Sequence, residues 1–173
     1  MPQIIITAIG PDRPGLVGDL AGYLHERHAN ILDSRMVNLR GHFALLVLLE
    51  ADGDAMPALR EGLPAFASQM GLQLSTADQT AAAAPRTGLP MRLKTYSMDQ
   101  PGIVHGLASL LKKHEVNIEE LETRQESGAF MGAPLFILEA RITVPPSVPV
   151  RTLRAELERL GDSINCDVDL DPA

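Results

Sequence analysis

What this sequence lacks removes several kinds of protein at once. Cys166 is its one cysteine, so no disulfide can close within the chain, and a reducing compartment is the simpler expectation. Nowhere do about 18 apolar residues stand together, the length that a membrane-crossing helix needs. The N-terminal MPQIIITAIG has neither the basic flank nor the apolar length of a secretory signal, so the expected location is the cytoplasm. No dense cluster of lysine and arginine interrupts a balance of 15 basic to 22 acidic residues. The resulting net charge of −7 repels phosphate backbones, and direct DNA or RNA binding is not expected. Walker loops, dinucleotide fingerprints and serine elbows are missing too, so neither an enzymatic reaction nor a cofactor is expected.

What is present suits a packed core. The 173 residues are 45% hydrophobic and 21% charged, with a mean hydropathy of +0.04. Those are values of an ordinary globular protein, and the length fits one ordinary domain or two small ones.

Two short stretches decide between these. GPDRPGLVGDL at residues 10–20 and SMDQPGIVHGL at residues 97–107 share Asp-x-Pro-Gly-[Leu/Ile]-Val-x-x-Leu at a constant separation of 87 residues. Ahead of the first, the β-branched run of residues 4–9, closed by Gly10 and Pro11, reads as a buried strand. A helix should follow. Pro14 has the fixed φ of a first helical position, Asp12 can accept from the free amides of the first turn, and Leu16, Val17, Leu20, Ala21 and Leu24 recur at helical spacing. Their counterparts 87 residues on are Ile103, Val104, Leu107, Ala108 and Leu111. Both helices lead into Asn-Ile, at Asn30-Ile31 and Asn117-Ile118, each opening an extended segment.

Beyond that point the copies drift, because residues 43–49 align with 136–142 at a separation of 93. The extra residues fall in QESGAFMGAPL, which predicts a longer hairpin loop than Arg40-Gly41-His42. Each copy then shows a helical stretch, with Leu59, Leu63, Phe66 and Met70 in one and Val150, Leu153, Leu157 and Leu160 in the other. Gly71 and Gly161 stand where these helices would stop, and Pro64 marks a kink or a new turn. Final strands are expected at residues 72–77 and 164–170. The predicted fold is therefore α+β: two tandem ferredoxin-like βαββαβ units, each a four-stranded antiparallel sheet with two helices on one face. Residues 1–78 form the first, 79–90 an alanine- and proline-rich linker, and 91–173 the second.

Residues 43–49 are apolar at every position. Strand alternation puts Phe43, Leu45, Val47 and Leu49 on one side of the sheet and Ala44, Leu46 and Leu48 on the other. Helices cover only one side. The other is expected to pack against a further sheet, in a homodimer or from the sister unit.

The repeated motif, helix and Asn-Ile within a βαββαβ unit resembles the ACT family of amino-acid-sensing regulatory domains over nearly the whole chain. The resemblance implies a small amino-acid ligand, glycine foremost, held where the first turn meets a neighbouring domain. It also implies a protein partner of the transcription-factor kind. Carried over residue by residue, the polar ligand contacts fall on Asp12 and Asn30 in the first copy and on Asp99 and Asn117 in the second. A helix N-terminus offers free N–H groups and partial positive charge, so the amides near Gly15 and Leu16, or Gly102 and Ile103, would take the ligand carboxylate. Each glycine would let the backbone come close. The position two before the aspartate, polar in some ligand-binding members, is Gly10 in the first copy and Ser97 in the second, which favours the second site. Each residue also has an ordinary structural role open to it, since aspartate before Pro-Gly starts helices and asparagine opens strands anywhere. The alternative function is accordingly a dimerisation or docking module without a small ligand.

Three other groupings read as structural. His25 and His28 share a helical face without a third metal ligand nearby. Glu120 and Glu122, next to Glu119, fall on one side of a strand, as a solvated edge would carry them. Cys166 has no evident cationic neighbour to activate it.

Overall fold

The computed structural model describes residues 1–79, 87–127 and 134–173. Six elements run through the first part of the chain: β1 (Gln3–Pro11), α1 (Leu16–Glu26), β2 (Asn30–Leu39), β3 (His42–Glu50), α2 (Ala55–Met70) and β4 (Gln73–Gln79). The second part repeats them as β5 (Leu89–Met98), α3 (Ile103–Lys113), β6 (Asn117–Ser127), β7 (Pro134–Val144), α4 (Val150–Ser163) and β8 (Cys166–Pro172). Each set forms a four-stranded sheet with antiparallel neighbours, in the orders β2-β3-β1-β4 and β6-β7-β5-β8. The expected pair of βαββαβ units is what the chain forms. Two compact units divide it, Met1–Ala83 and Ala84–Ala173. Of the segment expected as a linker, residues 80–86 lie outside the described residues, and β5 already begins at Leu89.

Each unit buries one face of its sheet beneath its helices. In the first, Ile4 and Ile6 of β1 and Phe43, Val47 and Leu49 of β3 meet Leu20 and Leu24 of α1 and Leu59 and Leu63 of α2. In the second, Leu93, Leu138 and Ile142 meet Leu107, Leu111, Leu153 and Leu157. The expected stripe on α1 is only partly right. Val17 is 52% exposed and Ala21 is exposed, while Tyr23 is buried in their stead. Its hydroxyl donates to the Leu59 carbonyl at 3.2 Å, its ring lies 4.3 Å from that of Phe66, and the Arg27 guanidinium covers it at 3.7 Å. A tyrosine with its hydroxyl satisfied buries well, and this one needs Gly62 opposite, where a Cβ would sit 2.4 Å from the Tyr23 oxygen.

Local chemistry sets the ends of the elements. Gly71 closes α2 in the left-handed region at φ 70°, as expected. Pro64 neither ends that helix nor begins one, because α2 runs through it. Gly161 is not a stop: α4 continues to Ser163, and the glycine serves close packing, since a Cβ there would lie 2.4 Å from the Cys166 carbonyl oxygen. His28 and Glu115, 87 residues apart, both take positive φ just past α1 and α3, followed by Ala29 and Val116 amides that donate back to Leu24 and Leu111. Arg40 and Gly41, at φ 50° and 84°, form a two-residue turn that joins β2 to β3. The matching connection in the second unit, residues 128–133, lies outside the described residues, but the flanking pair Glu126–Leu135 corresponds in register to Leu39–His42. Among the described residues no helix is long and apolar enough to cross a membrane.

Candidate functional site

The turn between β1 and α1 is built the same way in both units. The Asp12 N–H donates to the Gly41 carbonyl at 2.9 Å, and the Asp99 N–H donates to the Pro134 carbonyl at 3.3 Å. Each aspartate is thereby tied to the end of the neighbouring hairpin. Three residues later the chain turns sharply at Gly15 and Gly102, at φ 94° and 99°, a conformation that L side chains rarely adopt. Conformation accounts for these glycines rather than crowding, because a Cβ at Gly102 would meet nothing within 4 Å.

Both glycines are the N-caps of their helices, and neither helix has a side-chain cap. The Gly15 and Gly102 carbonyls accept the first intrahelical bonds, from the Asp19 and Gly106 amides, each at 2.8 Å. Amides of the preceding helical residues, Leu16 to Gly18 and Ile103 to His105, therefore precede the first helical bond and point out of the helix end. Leu16 and Ile103 themselves are buried and anchor the first turn in the core. Pro14 lies outside α1, and Asp12 does not cap it.

Asp12 has another partner. Its carboxylate accepts from the side-chain amide of Asn38, near the end of β2, and the Asn38 oxygen accepts from the Gly41 amide at 3.2 Å. In the second unit the Asp99 carboxylate accepts from the Gln125 amide at 2.6 Å. Asn38 and Gln125 are also 87 residues apart. Sequence reading missed this pair because asparagine and glutamine do not match by identity. A search for side-chain amides at the repeat spacing would have found it.

Asn30 and Asn117 are not brought to these turns within a unit. Strand β2 runs parallel to β1, with Asn30 level with Glu50 and Gln3, and Leu39 level with His42 and Pro11. Nine residue steps of about 3.3 Å place Asn30 roughly 30 Å from the Asp12 end of the sheet. Its amide sits 3.4 Å from the Glu50 carboxylate, and that of Asn117 donates to Glu119 at 2.6 Å.

A cleft of about 340 Å³ opens at the first turn, lined by Asp12, Arg13, Gly15, Leu16, Val17, Met36 and Phe43 among others. This is a small-molecule volume. Arg13 brings a guanidinium to its edge, 3.0 Å from Asp19 of α1. In the second unit the equivalent residue is Gln100, whose amide donates to the Ile164 carbonyl. A larger groove of about 630 Å³ runs between α1 and α2, past Gly18, Tyr23 and Arg27. Its lining does not recur, because the residues 87 positions on are His105, Leu110 and His114.

The two turns differ behind the aspartate. A Cβ at Gly10 would lie 2.7 Å from the Gly71 oxygen, so the first unit has no room for a side chain there. Ser97 takes that position in the second unit, 5% exposed, and Thr95 two residues before it is fully buried. Neither hydroxyl has a hydrogen-bond partner among the described residues. Their first-unit counterparts are Gly10 and Ala8.

The other sequence candidates have structural roles. His28 supplies the positive φ that closes α1. Glu120 pairs with Arg141 at 2.9 Å, and Cys166 is buried with its sulfur 3.6 Å from the Asp167 carbonyl. Among the described residues no three histidines, cysteines or acids gather as a metal site.

A βαββαβ unit with an acid-and-amide pair beside an uncapped helix start occurs twice along the chain. Residues 2–77, the first unit, match the family model of the ACT domain, and the second unit repeats the same βαββαβ fold. It resembles the glycine cleavage system transcriptional repressor of Escherichia coli (strain K12), being 24% identical over 162 residues that cover 94% of this chain and 85% of that one. An unknown protein from Galdieria sulphuraria has a crystal structure that superimposes with a TM-score of 0.80 at 30% identity, over 99% of this chain and 98% of that one. A crystal structure assigned as a glycine cleavage system transcriptional repressor superimposes with a TM-score of 0.76 at 19% identity, covering 98% and 96%, and shares the fold.

Proposed function

We propose that this chain is a regulator that binds a free amino acid at the turns preceding α1 and α3 and passes the bound state to a protein partner. The observation that carries this reading is the pair Asp12–Asn38 and its repeat Asp99–Gln125, each beside the open first turn of a helix without a side-chain cap. A zwitterion has a use for every part of that arrangement. The outward amides and partial positive charge of the helix start take its carboxylate, and the aspartate takes its ammonium. Asn38 or Gln125 holds the aspartate in place. The second turn is the stronger site in this reading, because the buried hydroxyls of Ser97 and Thr95 give it polar groups that the first lacks.

Asn30 and Asn117 join such a site only from another unit, of the same chain or of a second copy. Two β2 edges paired antiparallel would set the Asn30 end of one against the Leu39 end of the other, beside its Asp12. A ligand bridging that seam favours the paired arrangement by its differential affinity for it. With ligand a hundredfold above Kd, the gain is about 2.7 kcal/mol.

Near full-length resemblance to a transcriptional repressor supports a role in transcriptional regulation, with glycine the first ligand to test. A net charge of −7 supports action through a protein partner in the cytoplasm rather than through DNA. The role is regulatory rather than catalytic. A thermal-shift panel of the amino acids tests it: one of them raises the melting temperature, and Asp99→Ala removes the shift. A panel in which no amino acid moves the parent's melting curve would favour the second reading, a docking module, which draws on the apolar sheet face described next.

A further inference from the structure

The two sheets turn chemically opposite faces away from their helices. In the second unit that face carries Arg92, Lys94, Glu122, Arg124, Glu139 and Arg141, in directly paired or adjacent register. Ion pairs lace it, Lys94 to Glu139 at 3.6 Å and Arg124 to Glu139 at 3.1 Å. This is how the fold presents the face to water. In the first unit, register places Ile5, Ile9, Val37, Ala44, Leu46 and Leu48 on the equivalent surface. Ile9, Val37 and Leu46 are 46%, 53% and 47% exposed. Charge on this face is confined to Asp33 and Arg35, which pair with each other at 2.5 Å, and to Glu50 at its end.

We infer that this apolar face is a contact surface for the same face of a second copy of the chain. A largely apolar patch whose central ion pair cancels, with its remaining acid at the margin, is complementary to itself, and a two-fold pairing presents one surface to both partners. The charged face of the second sheet is a poor occupant, because covering it with hydrocarbon would desolvate several ions. The area also fits. Four strands of seven to ten residues, about 4.8 Å apart, offer on the order of 550 Å², so two faces would bury on the order of 1,100 Å². That is just above the roughly 1,000 Å² at which specific interfaces begin, so the dimer should be of modest, micromolar affinity.

Sedimentation velocity on the full chain over a dilution series tests this, with no amino acid added. The parent should move from dimer to monomer on dilution. Leu46→Glu, at the centre of the face and half-exposed, should raise the dissociation constant at least tenfold while its circular dichroism and melting temperature match the parent's. Leu89→Glu, an exposed leucine outside the face, should leave the association unchanged. A parent that stays monomeric at every concentration would overturn the inference, and the face would then belong to a different protein. A Leu46→Glu chain that dimerises as tightly as the parent would overturn it equally, by placing the contact on another surface.

Discussion

Gly15 and Gly102 show why a residue that looks like part of a ligand pocket can be demanded first by the backbone. With φ near +95°, an alanine at either position should cost about 1–2 kcal/mol of stability in urea unfolding. Gly22, in the interior of α1 with nothing within 4 Å of an added Cβ, should respond in the opposite sense, with Gly22→Ala gaining about 0.5–1 kcal/mol. Equal losses at all three would show that the turn does not select its glycines by conformation. Asp12 and Asp99 were legible in the sequence because they recur within a fixed motif. Asn38 and Gln125 were not, because their contact with the aspartates depends on a strand register that no local pattern states. The pair also changes residue type between copies. Gly10 was read as a missing contact, whereas its physical reason is the Gly71 oxygen packed against it.

Helices and strands were the most readable features, since two copies of each pattern reinforced one another at a fixed spacing. The misreadings came where tertiary contacts override a local signal: Gly161 packs against β8 within a continuing helix, and Tyr23 displaces Val17 from the core face by finding a partner for its hydroxyl. Contacts between elements also make a prediction about acid. Glu156 of α4 receives hydrogen bonds from Lys113 at 2.8 Å and from His114 at 3.1 Å, at the end of α3. These hold its carboxyl down at about 2, from an ordinary 4.5. A carboxyl with a depressed folded-state value contributes stability above its unfolded value and loses it as pH falls through the folded one. The melting-temperature advantage of the parent over Glu156→Gln should therefore be constant above about pH 5 and disappear between about pH 4.5 and 2. An advantage that does not change with pH would contradict the clamp between α3 and α4.

Across the molecule, duplication has produced one architecture with two different surfaces. The helix-start turns were kept alike, down to the hydrogen bond that ties each aspartate to its hairpin. The open sheet faces diverged, one apolar and one charged. Retention of the turns alongside divergence of the faces is what sharing a ligand-binding role while dividing the contact roles would leave behind. Ligand at a hundredfold above Kd should stabilise the unit that binds it by about 2.7 kcal/mol, which for a unit of this size is a melting shift of roughly 10 °C or more. Calorimetric titration of the full chain with glycine, serine and the branched amino acids, set beside the Asp12→Ala/Asp99→Ala double variant, tests the central claim most directly. Saturable binding of at least one amino acid by the parent and none by the folded double variant is the predicted result. Binding that persists undiminished in the double variant, or no binding of any amino acid by the parent, would contradict it.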